Sequence, residues 1–191
     1  MDNVENDQSS GASTANGYMT TNVAANKSLS FEIAAVNVNS LVSHEKRYIL
    51  LQFMVHHKPD IILISETKFK KKHKTQFAQY SIHRTDRPSA DGGGGTAVLV
   101  KNTFSLECVS VLSHLSARNE VLEYTVAIFA LNTRQSLYII SAYANNREPA
   151  VFTEELDALF SKLKLNELNK FFILAGDLNS RSQEGGYIFK L

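Results

Sequence analysis

Near the end of the chain the segment FFILAGDLNS, residues 171–180, closes a run of bulky apolar residues with Asp177 and Asn179. On a strand, alternate side chains share a face, so this carboxylate and carboxamide project together while Leu178 points away. Three other apolar runs finish in the same manner: FEIAAV leads to Asn37 and Asn39, IILIS to Glu66, and YIISA to Tyr143. Two carboxylates, several carboxamides and a phenol, with no cysteine or serine nucleophile motif, make a set of hard oxygen donors. Mg²⁺ suits such a set, because it takes one or two protein carboxylates and completes its shell with water and substrate phosphate; Mn²⁺ accepts the same ligands. The corresponding chemistry is metal-assisted phosphoester hydrolysis, with Glu66 on the metal and Asp177 taking a proton from water.

For these residues to meet, the strands that carry them must run parallel, since parallel strands share one carboxyl edge, where ligands bind in open α/β folds. The chain has the elements for this. A strand from Phe31 is followed by a helix with Ser43 as its N-cap and Leu50, Phe53, Met54 and His57 as a stripe facing a sheet. HKPD ends that helix, and IILIS is a continuous apolar run of the kind covered on both faces. A short strand is expected around Tyr80 to Arg84, another at TAVLVK, and antiparallel strands at 106–111, 121–131 and 136–142. A second helix shows Phe152, Leu156, Leu159, Phe160 and Leu163 on one face before the final strand, FFILAG. The pattern predicts a layered α/β fold containing a mixed sheet.

Composition sets the bounds. The chain has 191 residues, 43% hydrophobic and 20% charged, with a net charge of +1, the profile of one ordinary globular domain. A globally basic surface is absent, so any contact with DNA must come from local patches. The one cysteine, Cys108, forms no internal disulfide, and no Cys/His cluster has zinc spacing. No apolar run reaches the length of a membrane span and no signal peptide is seen, so a nuclear or cytoplasmic protein without a membrane partner is expected. Residues 1–29, rich in Asn, Ser, Thr, Ala and Gly, read as a flexible tail, with the domain proper over 30–191.

In order and spacing, VNVNSL, ISET, GGGGTAVLV, SAYANN and LAGDLNS resemble the endonuclease/exonuclease/phosphatase superfamily. RTDR, followed by the glycine run and TAVLVKN, resembles more narrowly the apurinic-endonuclease-like domain of Jockey-type non-LTR retrotransposons. The resemblance implies that Asn37 lies near the reactive phosphate, Asn39 near the metal, and Glu66 on it. It implies that Tyr143 bonds the scissile phosphate, that Asp177 activates water, and that Asn179 orients it. Asn146 falls where the family has a phosphate-contacting asparagine, with Asn145 replacing the usual proline. The implied function is nicking of target DNA by a layered α/β sandwich, with a reverse transcriptase domain in the full-length parent. The family's later Ser-Asp-His motif is not among these 191 residues. The chain is therefore expected to be the truncated N-terminal part of the domain, with an incomplete second sheet, an exposed apolar face and impaired activity. A catalytically silent remnant that binds DNA or another partner is one alternative, and an abasic-site nuclease or phosphatase of the same superfamily is another.

Several residues keep two readings. Asp177 and Asn179 alone would also make a turn, Glu66 a solvated loop residue, and Tyr143 a core aromatic. The run Lys68, Lys70, Lys71, Lys72 and Lys74 is either a solvated loop or a DNA-phosphate patch, the latter resting on Lys70, Lys71 and Lys72. Glycines 92–95 lack the Gly-Lys-Ser/Thr ending of a phosphate-binding loop and read as a turn. Arg84 and Arg87 are of a length to reach a DNA backbone; Cys108 and the histidines are read as structural.

Overall fold

A computed structural model describes residues 30–86, 94–115, 121–145 and 149–179. The strands are β1 (Ile33–Asn37), β2 (Ile61–Ser65), β3 (Tyr80–Thr85), β4 (Thr96–Lys101), β5 (Cys108–His114), β6 (Leu122–Ala130), β7 (Ser136–Ala144) and β8 (Lys170–Asp177). Helix α1 spans His44–His57 and α2 spans Pro149–Leu163. The strands form two mixed sheets, in the orders β1-β2-β4-β3 and β5-β6-β7-β8, the layered α/β sandwich that was expected. The second sheet, expected to be incomplete, has four strands among the described residues.

Each sheet contains one parallel pair, and each pair is made by a helical crossover: β1-α1-β2 in the first, β7-α2-β8 in the second. The other pairings, β2 with β4, β3 with β4, β5 with β6 and β6 with β7, are antiparallel. β5 carries a register irregularity between Cys108 and Ser110, and the strand runs on to His114, beyond the expected span.

The alternation of IILIS shows how the layers are built. Ile62 and Ile64 pack with Leu50 and Met54 of α1, while Ile61 and Leu63 turn inward to meet Ala127, Phe129, Leu137 and Ile139 of the second sheet. Both faces of β2 are thereby covered, as its unbroken apolar run requires. On the far side, Leu159 and Leu163 of α2 close over Val126, Tyr138 and Ile140. The order of layers is helix, sheet, sheet, helix.

Ser43 caps α1, its hydroxyl accepting from Lys46 N at 3.3 Å, and Lys58 ends it in the left-handed region with φ 51°. Of the expected stripe, Leu50 and Met54 are buried and Phe53 is half-buried. His57 is exposed instead; it sits in the last turn, where its ring rests 4.7 Å from that of Phe53. Apolar exposure is concentrated on edge strand β8 at Phe171 and Phe172, on β5 at Val109 and Val111, and on α1 at Tyr48, Ile49 and Val55. No helix among the described residues is long and apolar enough to cross a membrane.

Candidate active site

Parallel pairing aligns Asn37 with Ser65 in the first sheet, so Asn37 at the end of β1 lies beside Glu66 just past the end of β2. In the second sheet it aligns Tyr143 with Asp177. The four residues thus occupy the carboxyl ends of the two parallel pairs, the place where a polar cluster was expected. Glu66 takes a left-handed turn at φ 56°, and Asn37 Nδ2 donates to its Oε1 at 3.0 Å. The same nitrogen donates to Asp177 Oδ2 at 2.5 Å, joining the two sheets across 140 positions of sequence. A carboxamide nitrogen has two protons, one for each carboxylate. The carboxamide is oriented from its other end, where Asn39 N donates to Asn37 Oδ1 at 2.9 Å.

Asp177 is held from its own side as well. Asn179 N donates to Asp177 Oδ1 at 3.0 Å, and Asn179 Nδ2 donates to Ala144 O at 2.8 Å, which folds the segment after β8 back onto the end of β7. Gly176 explains the glycine of LAGD. Its φ is 151°, and a Cβ there would fall on the carbonyl of Ala142 in β7, so the backbone reaches this geometry only without a side chain.

Lys68, singled out in the sequence only as one of a lysine run, belongs to the cluster. Its ammonium donates to Asn39 Oδ1 at 2.5 Å and stands 3.6 Å from Glu66 Oε2. Its place two residues after Glu66 in SETK is visible in the sequence, but its direction comes from a left-handed backbone at φ 54°. Glu66 and Asn39 therefore present oxygen atoms to a cation already in the molecule. No group of three or more His, Cys, Asp or Glu side chains among the described residues could hold a metal by itself. A single carboxylate beside a carboxamide oxygen matches an ion of the Mg²⁺ type, which keeps waters and draws on substrate phosphate.

Among the other candidates, Tyr143 is half-buried, Lys71 and Lys72 are exposed, and Lys70 is half-buried with its backbone N donating to His73 Nδ1 at 2.9 Å. Arg84 is not a free arm. Its Nη2 donates to His73 O at 2.7 Å, pairs with Asp86 Oδ2 at 3.2 Å, and its guanidinium lies 4.9 Å over the Phe69 ring, so it braces the lysine loop. Burial pushes the Asp86 carboxyl above the usual aspartate range, with Arg84 the largest opposing influence. Asn146, Arg87, glycines 92 and 93, and the 1–29 segment lie outside the described residues.

Residues 34–191 match the profile of the Endonuclease/Exonuclease/phosphatase family. A search of curated proteins finds no match. Among solved structures, D. rerio TDP2 complexed with single-strand DNA product superposes with a TM-score of 0.57 at 17% identity, covering 81% of this chain and 62% of that one. The AP endonuclease LMAP from Leishmania major gives 0.59 at 17% identity, over 78% and 55%. An AP endonuclease from Archaeoglobus fulgidus gives 0.54 at 20% identity, over 78% and 58%. At these identities the likeness is one of fold, and the chain spans less than two thirds of each of these structures.

Proposed function

Because the chain belongs to the Endonuclease/Exonuclease/phosphatase family, we propose that it hydrolyses phosphodiester bonds of DNA with a bound Mg²⁺ or Mn²⁺ ion. The observation that carries this reading is the bridge made by one carboxamide nitrogen of Asn37 to both Glu66 and Asp177. The bridge supports reading Glu66 as a metal-holding carboxylate and Asp177 as a base on either side of one oriented amide. Glu66 and Asn39 would hold the ion, which when bound would neutralise charge on the phosphate and on the leaving oxygen. Asp177 accepts a proton from the attacking water, and the Asn179 backbone amide keeps that carboxylate in place. Water oxygen bonds to phosphorus, the bond to the 3′ oxygen breaks, and that oxygen takes a proton from solvent. Tyr143 donates to the phosphate, Asn146 assists it, and Lys70, Lys71 and Lys72 contact the DNA backbone.

The RTDR and GGGGTAVLVKN segments favour a nicking endonuclease of a non-LTR retrotransposon, nuclear or cytoplasmic, with a reverse transcriptase in the full-length parent that extends the exposed 3′ hydroxyl. A supercoiled-plasmid assay with Mg²⁺, run beside Asp177→Ala, is the test. Nicking by the wild type that disappears in the variant supports hydrolysis. Equal nicking by both, or none by either, leaves a DNA-binding or interaction module in its place. An abasic oligonucleotide and a phosphomonoester assayed in parallel identify the related repair or phosphatase activities by a preference for those substrates.

A further inference from the structure

Glu123 lies in β6, directly opposite Tyr143, which in turn lies opposite Asp177. Residues opposed across neighbouring strands share a face of the sheet, so this carboxylate belongs to the row that carries two proposed catalytic groups. It is 0% exposed. A buried carboxylate is costly unless hydrogen-bonded, and Glu123 Oε2 accepts from Gly95 N at 2.6 Å, a short charge-assisted bond.

Gly95 and Gly94 precede β4 in the other sheet, and their carbonyls point at the loop that holds Glu66. Thr67 N donates to Gly95 O at 3.1 Å and Lys68 N donates to Gly94 O at 3.0 Å. From the opposite side, Ser40 N donates to Glu66 O at 2.7 Å and Leu41 N to Thr67 O at 2.9 Å. Glu66 and Lys68 both have positive φ, a conformation that persists in non-glycine residues only where the surroundings fix it. Gly95 is itself tightly placed, since a Cβ there would lie 2.7 Å from Thr67 Oγ1.

We infer that Glu123 is a positioning residue. Through the Gly95 amide and the Gly94 and Gly95 carbonyls it sets the backbone of residues 66–68, and with it the oxygen atoms of Glu66 offered to a divalent cation. The inference rests on the reading of Glu66 as the metal-holding carboxylate. It also gives a reason for a carboxyl group inside the sandwich, where an apolar residue would cost less.

The test combines Mn²⁺ titration, followed by the electron paramagnetic resonance of free Mn²⁺, with amide nitrogen–proton NMR spectra of the full chain. Glu123→Ala should weaken Mn²⁺ binding roughly tenfold, the lower range for groups that orient metal ligands. Glu123→Gln, which keeps an acceptor oxygen, should recover most of that loss. A purely structural glutamate would lower the melting temperature and leave Mn²⁺ affinity unchanged, and that result overturns the inference. If Glu123→Ala does not fold, the Glu123→Gln spectrum decides: the amides of Gly95, Thr67 and Lys68 should move, and unmoved Thr67 and Lys68 amides overturn it. A wild-type chain that binds no Mn²⁺ defeats the metal reading of Glu66, while the amide shifts still decide whether Glu123 positions the loop.

Discussion

Asn37 and Asp177 meet at 2.5 Å although they end the outermost strands of two different sheets. Asn37→Ala should leave Glu66 and Asp177 without the donor between them and cut plasmid nicking about a hundredfold, the scale seen when one preorganised donor is removed. The fold should lose about 1–3 kcal/mol, since three hydrogen bonds of a solvent-accessible side chain go with it, measurable by urea unfolding. Nicking within a factor of two of the wild type would contradict the role given to this amide.

Gly176 tests the backbone beneath the proposed base. With φ at 151° and the Ala142 carbonyl where a Cβ would stand, Gly176→Ala should destabilise the chain by about 1–3 kcal/mol or more. The end of β8 should separate from β7, and nicking should fall along with the melting temperature. A variant as stable and active as the wild type would mean that β8 takes another path.

The lysine loop makes a salt-dependent prediction. Replacing Lys70, Lys71 and Lys72 with alanine should weaken DNA binding and flatten its dependence on salt, each lost phosphate contact reducing the slope of log K against log salt by about 0.9. Fluorescence anisotropy with a labelled duplex over a salt series measures this. An unchanged slope would return the loop to a solvated surface.

Asp86 gives a pH-dependent one. Burial raises its carboxyl above the ordinary value of 3.8, so the folded chain keeps this proton to a higher pH than the unfolded chain does. Its contribution to stability is fully present below 3.8 and is lost as pH climbs through the raised value. Asp86→Asn lacks that titration, so its stability relative to the wild type should improve across the same window and then level off. Urea midpoints measured from acid to neutral pH check the sign. Parallel curves for the two proteins would show that the burial is not felt.

The residues at strand ends were legible because a short apolar run that stops at a polar side chain is a local signal, and Asn37, Glu66, Tyr143 and Asp177 all carry it. What local patterning does not contain is which sheet a strand joins. β4 and β6 have similar apolar textures, yet they face one another across the interior as members of different sheets. Lys68 and Glu123 were missed for the same reason. The direction of Lys68 depends on a left-handed turn, and Glu123 accepts from an amide 28 positions away, just before β4 of the other sheet. The bracing role of Arg84 is not legible in the sequence, because its aromatic and carbonyl partners come from a loop whose path only the folded chain defines.

The parallel crossover through α2 also has a kinetic meaning. Asp177 reaches Asn37 only after β8 has passed over the second sheet and docked beside β7, a closure between distant parts of the chain. Such closures form late and slowly, because chain entropy is lost before their contacts repay it. A ribosome that has not yet released β8 carries a chain with Glu66 and Asn39 but without Asp177, so the hydrolysis proposed above should require synthesis to have passed β8.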